Sequence, residues 1–276
     1  MKTEQRWWPS PFGADDQLGM LNHATDAKRR AAMQLVREGR LYDLGHVLDE
    51  ACPVFPGRYF RQTLAPNVTG PVGANEVDWA IEVVTATMQV GTHLDALCHL
   101  RRGEAGFDGW RLDRDTTPAG ATRLGIETAP QFATTGWLVD ARDGGHVIGI
   151  DALDGIDPEP GDAVFFHTGH GALWDDADAY LDGEPGPGMA VAEWLVGRGV
   201  SLTGCDTWSY GPVPPEDPER PFEVPQFLNV DHGIYVVENL RLDELARDGI
   251  RRFALVLTFP KLRGATGAWC TPIALV

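Results

Sequence analysis

A strand, a helix and a second strand follow one another between residues 161 and 206, and this run limits the possible folds more than any other feature of the sequence. GDAVFFHTG is a short apolar run that ends at Gly169, and VSLTGCD is another. Between them, MAVAEWLVGRG has helical spacing and ends at Gly197 or Gly199. Short turns join the three elements. The run therefore predicts a βαβ unit, and with it an α/β or α+β protein with some parallel pairing in a mixed sheet.

The rest of the chain adds strands and two further helices. TDAKRRAAMQLVREG predicts a helix with Thr25 or Asp26 as its N-cap and Gly39 as its C-terminal stop. LYDLGHVL, VDWAIEVVTATM, IYVVENL and RFALVLTFP have strand patterns, and LRLDELARDG predicts a short helix. GPVPPEDPERPFEVPQF carries six prolines and predicts a long loop without regular structure, such as a lid or a subunit-contact arm.

Charge and cysteine content exclude several classes of protein. The chain has 276 residues, a length that one domain accommodates, and 40 acidic residues against 23 basic ones give a net charge of −17. That charge disfavours binding to nucleic acid and to anionic membranes. The four cysteines form no CxxC pair, and no run of about 18 apolar residues occurs. We expect a cytoplasmic protein with reduced cysteines.

The stretch QVGTHLDALCHL concentrates residues that can bind a metal. If the chain is extended here, Gln89, Gly91, His93 and Asp95 point to the same side. An imidazole beside a carboxylate suits zinc, manganese or iron(II). His99 could reach the same pocket as a general acid or base. Taken alone, such a histidine and aspartate pair is more often an ordinary hydrogen-bonded or surface pair, so the spacing only suggests a metal.

Other residues are candidates for substrate contact. Asp206 ends a predicted strand and Trp208 follows it; with Phe55 this indole could line a pocket for a flat molecule. His170 lies at a glycine-flanked turn, where functional side chains often occur, and a purely structural histidine is the alternative. The sequence has no GxSxG elbow, P-loop or GxGxxG motif that would support a serine hydrolase, an NTPase or a dinucleotide-binding protein.

GTHLDALCH resembles the HxGTHxDxPxH signature of the cyclase family, which includes the bacterial metal-dependent kynurenine formamidases and the isatin hydrolases. The resemblance runs from about Leu41 to the end of the chain, through YDLGHVLDEACPVFPG, EPGDAVFFHTG, GMAVAEWLVGRGVSLTGCDTW, GIYVVENL and FPKLRGATGAWCTPIAL. WWPSPFGADDQLGMLNHAT is similar to the leader of the longer members. The resemblance implies a mixed, barrel-like sheet with peripheral helices, of the swivelling β/β/α type. Residues 1–40 would form a leader and a helix packed on the core, and residues 41–276 a single catalytic domain.

The resemblance also implies roles for individual residues. His93 and Asp95 correspond to metal ligands, and His99 corresponds to the catalytic acid or base. Glu238, in VVENL, corresponds to a carboxylate that binds metal in the dinuclear members. Asp95 and Glu238 would therefore serve in catalysis as well as in metal binding.

Three positions depart from the family pattern. Gln89 replaces the first motif histidine, Leu97 replaces the proline, and Gln226 stands where the family has a histidine twelve residues before the glutamate. An amide oxygen is a weaker ligand than an imidazole. We therefore expect one divalent ion, manganese or zinc, with one or both glutamines in the ligand set; two ions, or none, are the alternatives.

The resemblance implies a hydrolase that opens a cyclic or acyl amide, or a lactone, of a small aromatic substrate. One alternative is a lyase, dehydratase or cyclisation catalyst of secondary metabolism that moves protons without a metal. Another is an inactive protein that kept the pocket and binds a small ligand. The resemblance further implies a homodimer or homotetramer, and we expect no partner other than a small-molecule substrate.

Overall fold

The computed structural model of the chain describes residues 8–66 and 70–276. Its strands in chain order are β1 Leu41–Asp43, β2 Phe60–Pro66, β3 Ala80–Ala86, β4 His93–Asp95, β5 Thr116–Thr117, β6 Gly120–Ala121, β7 Phe132–Asp140, β8 Val147–Ile148, β9 Ala163–His167, β10 Gly186–Pro187, β11 Leu202–Cys205, β12 Tyr235–Glu238, β13 Arg252–Leu257, β14 Gly267–Trp269 and β15 Ile273–Leu275. The α-helices are α1 Asp26–Met33, α2 Ala177–Leu181, α3 Met189–Gly197, α4 Glu223–Gln226 and α5 Asp243–Arg247. A π-helical turn, Phe227–Asp231, follows α4, and short 3-10 turns occur at Gly19–His23, Phe107–Gly109, Ile126–Thr128, Ile150–Leu153 and His170–Leu173.

One mixed sheet organises the described part of the chain. Its nine strands lie in the order β1-β15-β13-β7-β9-β11-β12-β4-β14. The neighbours β7, β9, β11 and β12 are parallel, and the other pairs are antiparallel. The predicted βαβ unit is β9, α3 and β11, and its two strands are adjacent. The sheet curls into a half-barrel with few helices around it, which confirms the predicted α/β class.

The two faces of the sheet bury separate hydrophobic clusters, because successive residues of a strand point to opposite faces. In β9, Phe165 packs in the cluster that contains Leu94 and Val237. Phe166 packs in the other cluster, beneath α3. Since Leu94 and Val237 belong to the first cluster, the residues next to each of them in the strand face the second. This alternation places both neighbours of Leu94 on the same face.

Three predicted elements differ from the structure. The strand predicted for LYDLGHVL covers only its first three residues, as β1. Helix α1 ends at Met33 rather than near Gly39, because the chain turns there and the backbone N–H groups of Glu38 and Gly39 donate to the carbonyl of Val276. The proline-rich stretch is not irregular throughout: its end forms α4, in which Pro225 lies in the first turn, where the missing N–H is tolerated. Among the described residues, the helices are all too short or too polar to cross a bilayer.

The segment before β1 packs on the sheet domain. Leu21 and Ala24 are buried in the first cluster, and the Lys28 ammonium lies 2.5 Å from a carboxylate oxygen of the buried Asp162. The division of the chain at residue 40 stays a prediction, and residues 1–7 of the predicted leader lie outside the described residues.

Candidate metal centre

Three buried side chains meet on one face of the sheet, where β4 and β12 pair. His93 stands directly opposite Glu238 in the antiparallel register, and Asp95 follows two residues later on the same face. The His93 Nε2 atom lies 3.2 Å from Glu238 Oε2 and 3.6 Å from Asp95 Oδ1. One ligand atom from each residue lies within 4.8 Å of the other two. We call these three residues the buried triad.

The backbone around Gly91 fixes the orientation of the His93 ring. Its Nδ1 atom donates to the carbonyl of Gly91 at 2.7 Å, which leaves Nε2 with the lone pair that a metal ligand needs. The side-chain amide of Asn239 donates to the same carbonyl at 3.0 Å. Gly91 has a φ of +60°, which glycine adopts without strain. The chain therefore bends before β4, and the extended conformation expected from Gln89 onward begins only at His93.

The buried triad carries polar atoms that lack partners. His93 Nε2 and Asp95 Oδ1 are both buried and form no hydrogen bond within the described residues. Burial lowers the pKa of His93, but the nearby carboxylates of Glu238 and Asp95 outweigh it, and the pKa is raised. The two carboxylates thus favour a positive charge beside them, which a protonated His93 or a bound cation can supply. This donor set fits a divalent cation such as zinc or manganese.

His99 and Gln89 lie together at the edge of the buried triad. His99 Nε2 is 3.8 Å from Asp95 Oδ1, and its side chain is 22% exposed while the triad is buried. The Gln89 amide nitrogen is 3.4 Å from His99 Nδ1 and donates to the Thr266 hydroxyl at 3.1 Å. His99 is therefore more accessible from solvent than the three residues of the buried triad.

Gln226 makes its described contact elsewhere. Its side-chain amide donates to the carbonyl of Arg101 at 2.8 Å. The residue lines a surface hollow together with Arg102 and Glu219. The predicted roles of Gln89 and Gln226 as metal ligands stay predictions.

Two predicted aromatic contacts form a pair. The Phe55 and Trp208 ring centroids are 5.2 Å apart with an interplanar angle of 32°. Arg58 stacks over Phe55 at 5.3 Å and donates to the carbonyl of Gln89 at 2.9 Å. Arg58 thus connects the aromatic pair to Gln89, whose side chain lies against His99.

Glu184 is a buried carboxylate that no sequence pattern indicated, since it lies in the connection between α2 and β10. It accepts hydrogen bonds from the backbone N–H groups of Trp208 at 2.8 Å and Ser209 at 3.1 Å. Burial and the charge of Glu238 raise its pKa well above the usual value. Glu184 thus holds the turn that carries the Trp208 indole.

The described contacts of Asp206 and His170 are structural. The Asp206 carboxylate accepts from the Thr168 hydroxyl at 2.7 Å and from the backbone N–H groups of Thr168 at 2.8 Å and Gly169 at 3.0 Å. His170 Nε2 lies at hydrogen-bond distance, 2.8 Å, from the carbonyl of Tyr180. Their roles in substrate binding stay predictions.

The family model described as "Putative cyclase" matches residues 42–212, more than half of the chain. The chain belongs to the cyclase family. A crystal structure described as that of a novel cyclase superposes with a TM-score of 0.85 and 27% identity, covering 96% of this chain and 98% of the other.

Two proteins named for their activities are similar to this chain. A kynurenine formamidase of Bordetella pertussis is 28% identical over 227 residues, which is 79% of this chain and 90% of that protein. Isatin hydrolase A from Ralstonia solanacearum superposes with a TM-score of 0.64 at 23% identity, over 86% of this chain and 92% of its own. The latter likeness shows a shared fold.

Proposed function

We propose that this member of the cyclase family is a metal-dependent hydrolase that opens an amide or lactone bond of a small aromatic substrate. The observation that carries the proposal is the buried triad, in which His93 Nε2 and Asp95 Oδ1 lack hydrogen-bond partners in the described chain. The kynurenine formamidase relatives, which are named for the hydrolysis of an amide, support the reaction class.

His93, Asp95 and Glu238 would hold one divalent ion, manganese or zinc. Such an ion supplies a Lewis acid that polarises the substrate carbonyl and lowers the pKa of an attacking water. The fixed ring of His93 and the buried carboxylates would keep the three ligand atoms in place, since each lies on a paired strand.

His99 is the proposed general acid and base. It is partly exposed and lies beside Asp95, so it can meet both the substrate and a water near the ligands. It would take a proton from the water and return it to the leaving nitrogen or oxygen. Phe55 and Trp208 would bind the flat part of the substrate, and Glu184 would hold Trp208 in position.

The proposed assembly is a homo-oligomer. The hairpin of β2 and β3 exposes Ile81 and Val83 on one face, with Trp79 on the same side. A two-stranded ribbon without a cover is marginally stable in water, so a second copy of the chain would cover this face. The four free cysteines support the proposed location in a reducing compartment such as the cytoplasm.

Hydrolysis of a panel of N-formyl arylamines, isatin and aryl lactones tests the proposal, with absorbance as the readout and with manganese or zinc added. We expect His99→Asn to lower kcat by about 10²–10⁴-fold. The exposed His146 offers the matched control, because His146→Asn changes a histidine whose described contact is with the carbonyl of Pro214. Activity that is equal in both variants would contradict the role of His99.

The same assay separates the alternatives. A lyase, dehydratase or cyclisation catalyst that uses no metal would keep its activity after chelation. An inactive binding protein would bind a panel member without turnover. Loss of hydrolysis on chelation and its recovery with manganese or zinc would exclude both.

A further inference from the structure

A cavity lies at the carboxyl ends of the parallel strands, apart from the buried triad. Its lining comes from the residues that follow β7, β9, β11 and β12, together with the loop after β1. Its volume is about 630 Å³, within the range of small-molecule sites. Ligands of α/β proteins bind outside the carboxyl ends of parallel strands. None of the three triad residues is among the described lining residues. We call this space the strand-end cavity.

The floor of the strand-end cavity holds a buried imidazole with an unpartnered ring nitrogen. His167 is 6% exposed, and its Nδ1 atom forms no hydrogen bond to any part of the chain that the structure describes. Its Nδ1 atom is 3.5 Å from Asp140 Oδ1, and its Nε2 atom is 3.8 Å from Asp206 Oδ2. A buried polar group of this kind gains when a ligand supplies a partner.

Asp206, beside His167, has little capacity left for a ligand. One carboxylate oxygen accepts from the backbone N–H and the hydroxyl of Thr168, and the other accepts from the backbone N–H groups of Gly169 and Gly171. His167 is therefore the floor group with unused hydrogen-bonding capacity.

One wall of the cavity is flat and uncharged. His46 stacks on Trp174 with ring centroids 4.0 Å apart and an interplanar angle of 14°. Burial, aided by the charge of Arg241, lowers the pKa of His46 to about 4, so this imidazole is neutral at pH 7. Such a wall suits an aromatic ring.

The rim of the cavity carries charges of both signs. Arg142 and Arg241 supply guanidinium groups, and Asp49, Asp175 and Asp243 supply carboxylates. Arg142 already donates to Asp140 and Arg241 to Glu244, so a ligand carboxylate would join existing ion pairs. A ligand with only a negative charge would meet the three carboxylates, and one with only a positive charge would meet the two guanidinium groups. A zwitterion can satisfy both signs at once.

We propose that the strand-end cavity is a second binding site that takes a small aromatic amino acid in its zwitterionic form. The carboxylate of the ligand pairs with the guanidinium groups, its ammonium pairs with the rim carboxylates, and its ring packs on the wall formed by His46 and Trp174. His167 supplies a hydrogen bond from the floor. This site is independent of the chemistry proposed for the buried triad.

Isothermal titration calorimetry on the full chain tests the proposal with three probes of one ring system. L-tryptophan carries both charges, indole-3-propionate only the negative charge, and tryptamine only the positive one. We expect L-tryptophan to bind at one site per chain, and each of the other two to bind at least tenfold more weakly. Equal or tighter binding of either singly charged probe, or no binding of L-tryptophan, would overturn the proposal.

Matched variants locate the binding. Ala172 is an exposed lining residue, so Ala172→Trp fills the cavity without disturbing the core. The exposed Ala119 lies outside the lining, and Ala119→Trp is its control. We expect the first variant to abolish L-tryptophan binding and the second to leave it unchanged. Binding that persists in Ala172→Trp would place the ligand elsewhere and refute the site.

A second pair of variants tests the charge recognition and does not depend on filling the cavity. The Arg142 side chain is 56% exposed and that of Arg198, outside the lining, is 42% exposed, so both tolerate replacement by glutamine. Arg142→Gln should weaken L-tryptophan binding about tenfold, which is about 1.4 kcal/mol. Arg198→Gln should not change it. Equal affinities in the two variants would contradict the proposed role of the guanidinium.

Discussion

Protonation of His46 should make the folded chain less stable in mild acid. Burial and the charge of Arg241 lower the pKa of this imidazole from 6.5 to about 4. The unfolded chain therefore binds a proton near pH 6.5, while the folded chain resists protonation until about pH 4. Stability that is present at pH 7 is lost as the pH falls through this window, and the loss levels off below the folded pKa.

The size of this effect follows from the shift. One pKa unit corresponds to about 1.4 kcal/mol. Protonation of His46 should therefore lower the free energy of unfolding by about 2 kcal/mol when the pH falls from 7 to 4.5. Urea unfolding at both pH values measures it, with His46→Gln as the reference, because glutamine does not titrate. The wild type should lose about 2 kcal/mol more than His46→Gln on acidification. An equal loss in the two proteins would refute the reasoning.

Three further changes probe the structure that supports the buried triad. Gly91→Ala should destabilise the fold, because the φ of Gly91 is +60° and an added Cβ would lie 1.9 Å from the Leu48 side chain. In a Leu48→Ala background this clash is absent, and Gly91→Ala should still lower the free energy of unfolding in urea titrations by about 1 kcal/mol, because the backbone strain remains. Leu94→Ala removes a fully buried side chain behind the buried triad and should lower the free energy of unfolding by about 3 kcal/mol in the same assay. Glu184→Ala leaves two backbone N–H groups without their acceptor, so it should raise KM for an aromatic substrate more than it lowers kcat. Glu184→Gln keeps one acceptor oxygen, so its KM should lie between those of the wild type and Glu184→Ala.

Local patterns were sufficient to predict the elements that are continuous in sequence. The βαβ unit of β9, α3 and β11 was predicted because glycines mark its boundaries and its apolar runs have clear periods. The shared face of His93 and Asp95 followed from the two-residue repeat of a strand. The pairing of these two residues with Glu238 could not follow from any period, since it joins strands that are far apart in the sequence. There, the prediction rested on resemblance to the family.

Features that depend on distant contacts were missed. Strand β7, Phe132–Asp140, was not predicted, because Thr134, Thr135 and Gly136 interrupt its apolar pattern. These residues are compatible with a central strand: the Thr134 hydroxyl donates to the carbonyl of Gly161, and a side chain at Gly136 would collide with Phe253. Helix α1 was predicted too long, because its end is set by hydrogen bonds to the C-terminal residue.

Metal content tests the central claim most directly. The protein is purified without a metal-affinity tag, incubated with manganese or zinc, dialysed and measured by elemental mass spectrometry. Asp95→Asn removes the charge of a proposed ligand and keeps nearly the same shape, and Asp113→Asn changes an exposed aspartate as its control. We predict about one manganese or zinc ion per chain in the wild type and the control, and its loss in Asp95→Asn. Wild-type protein that stays free of metal after this treatment would contradict the proposed metal centre.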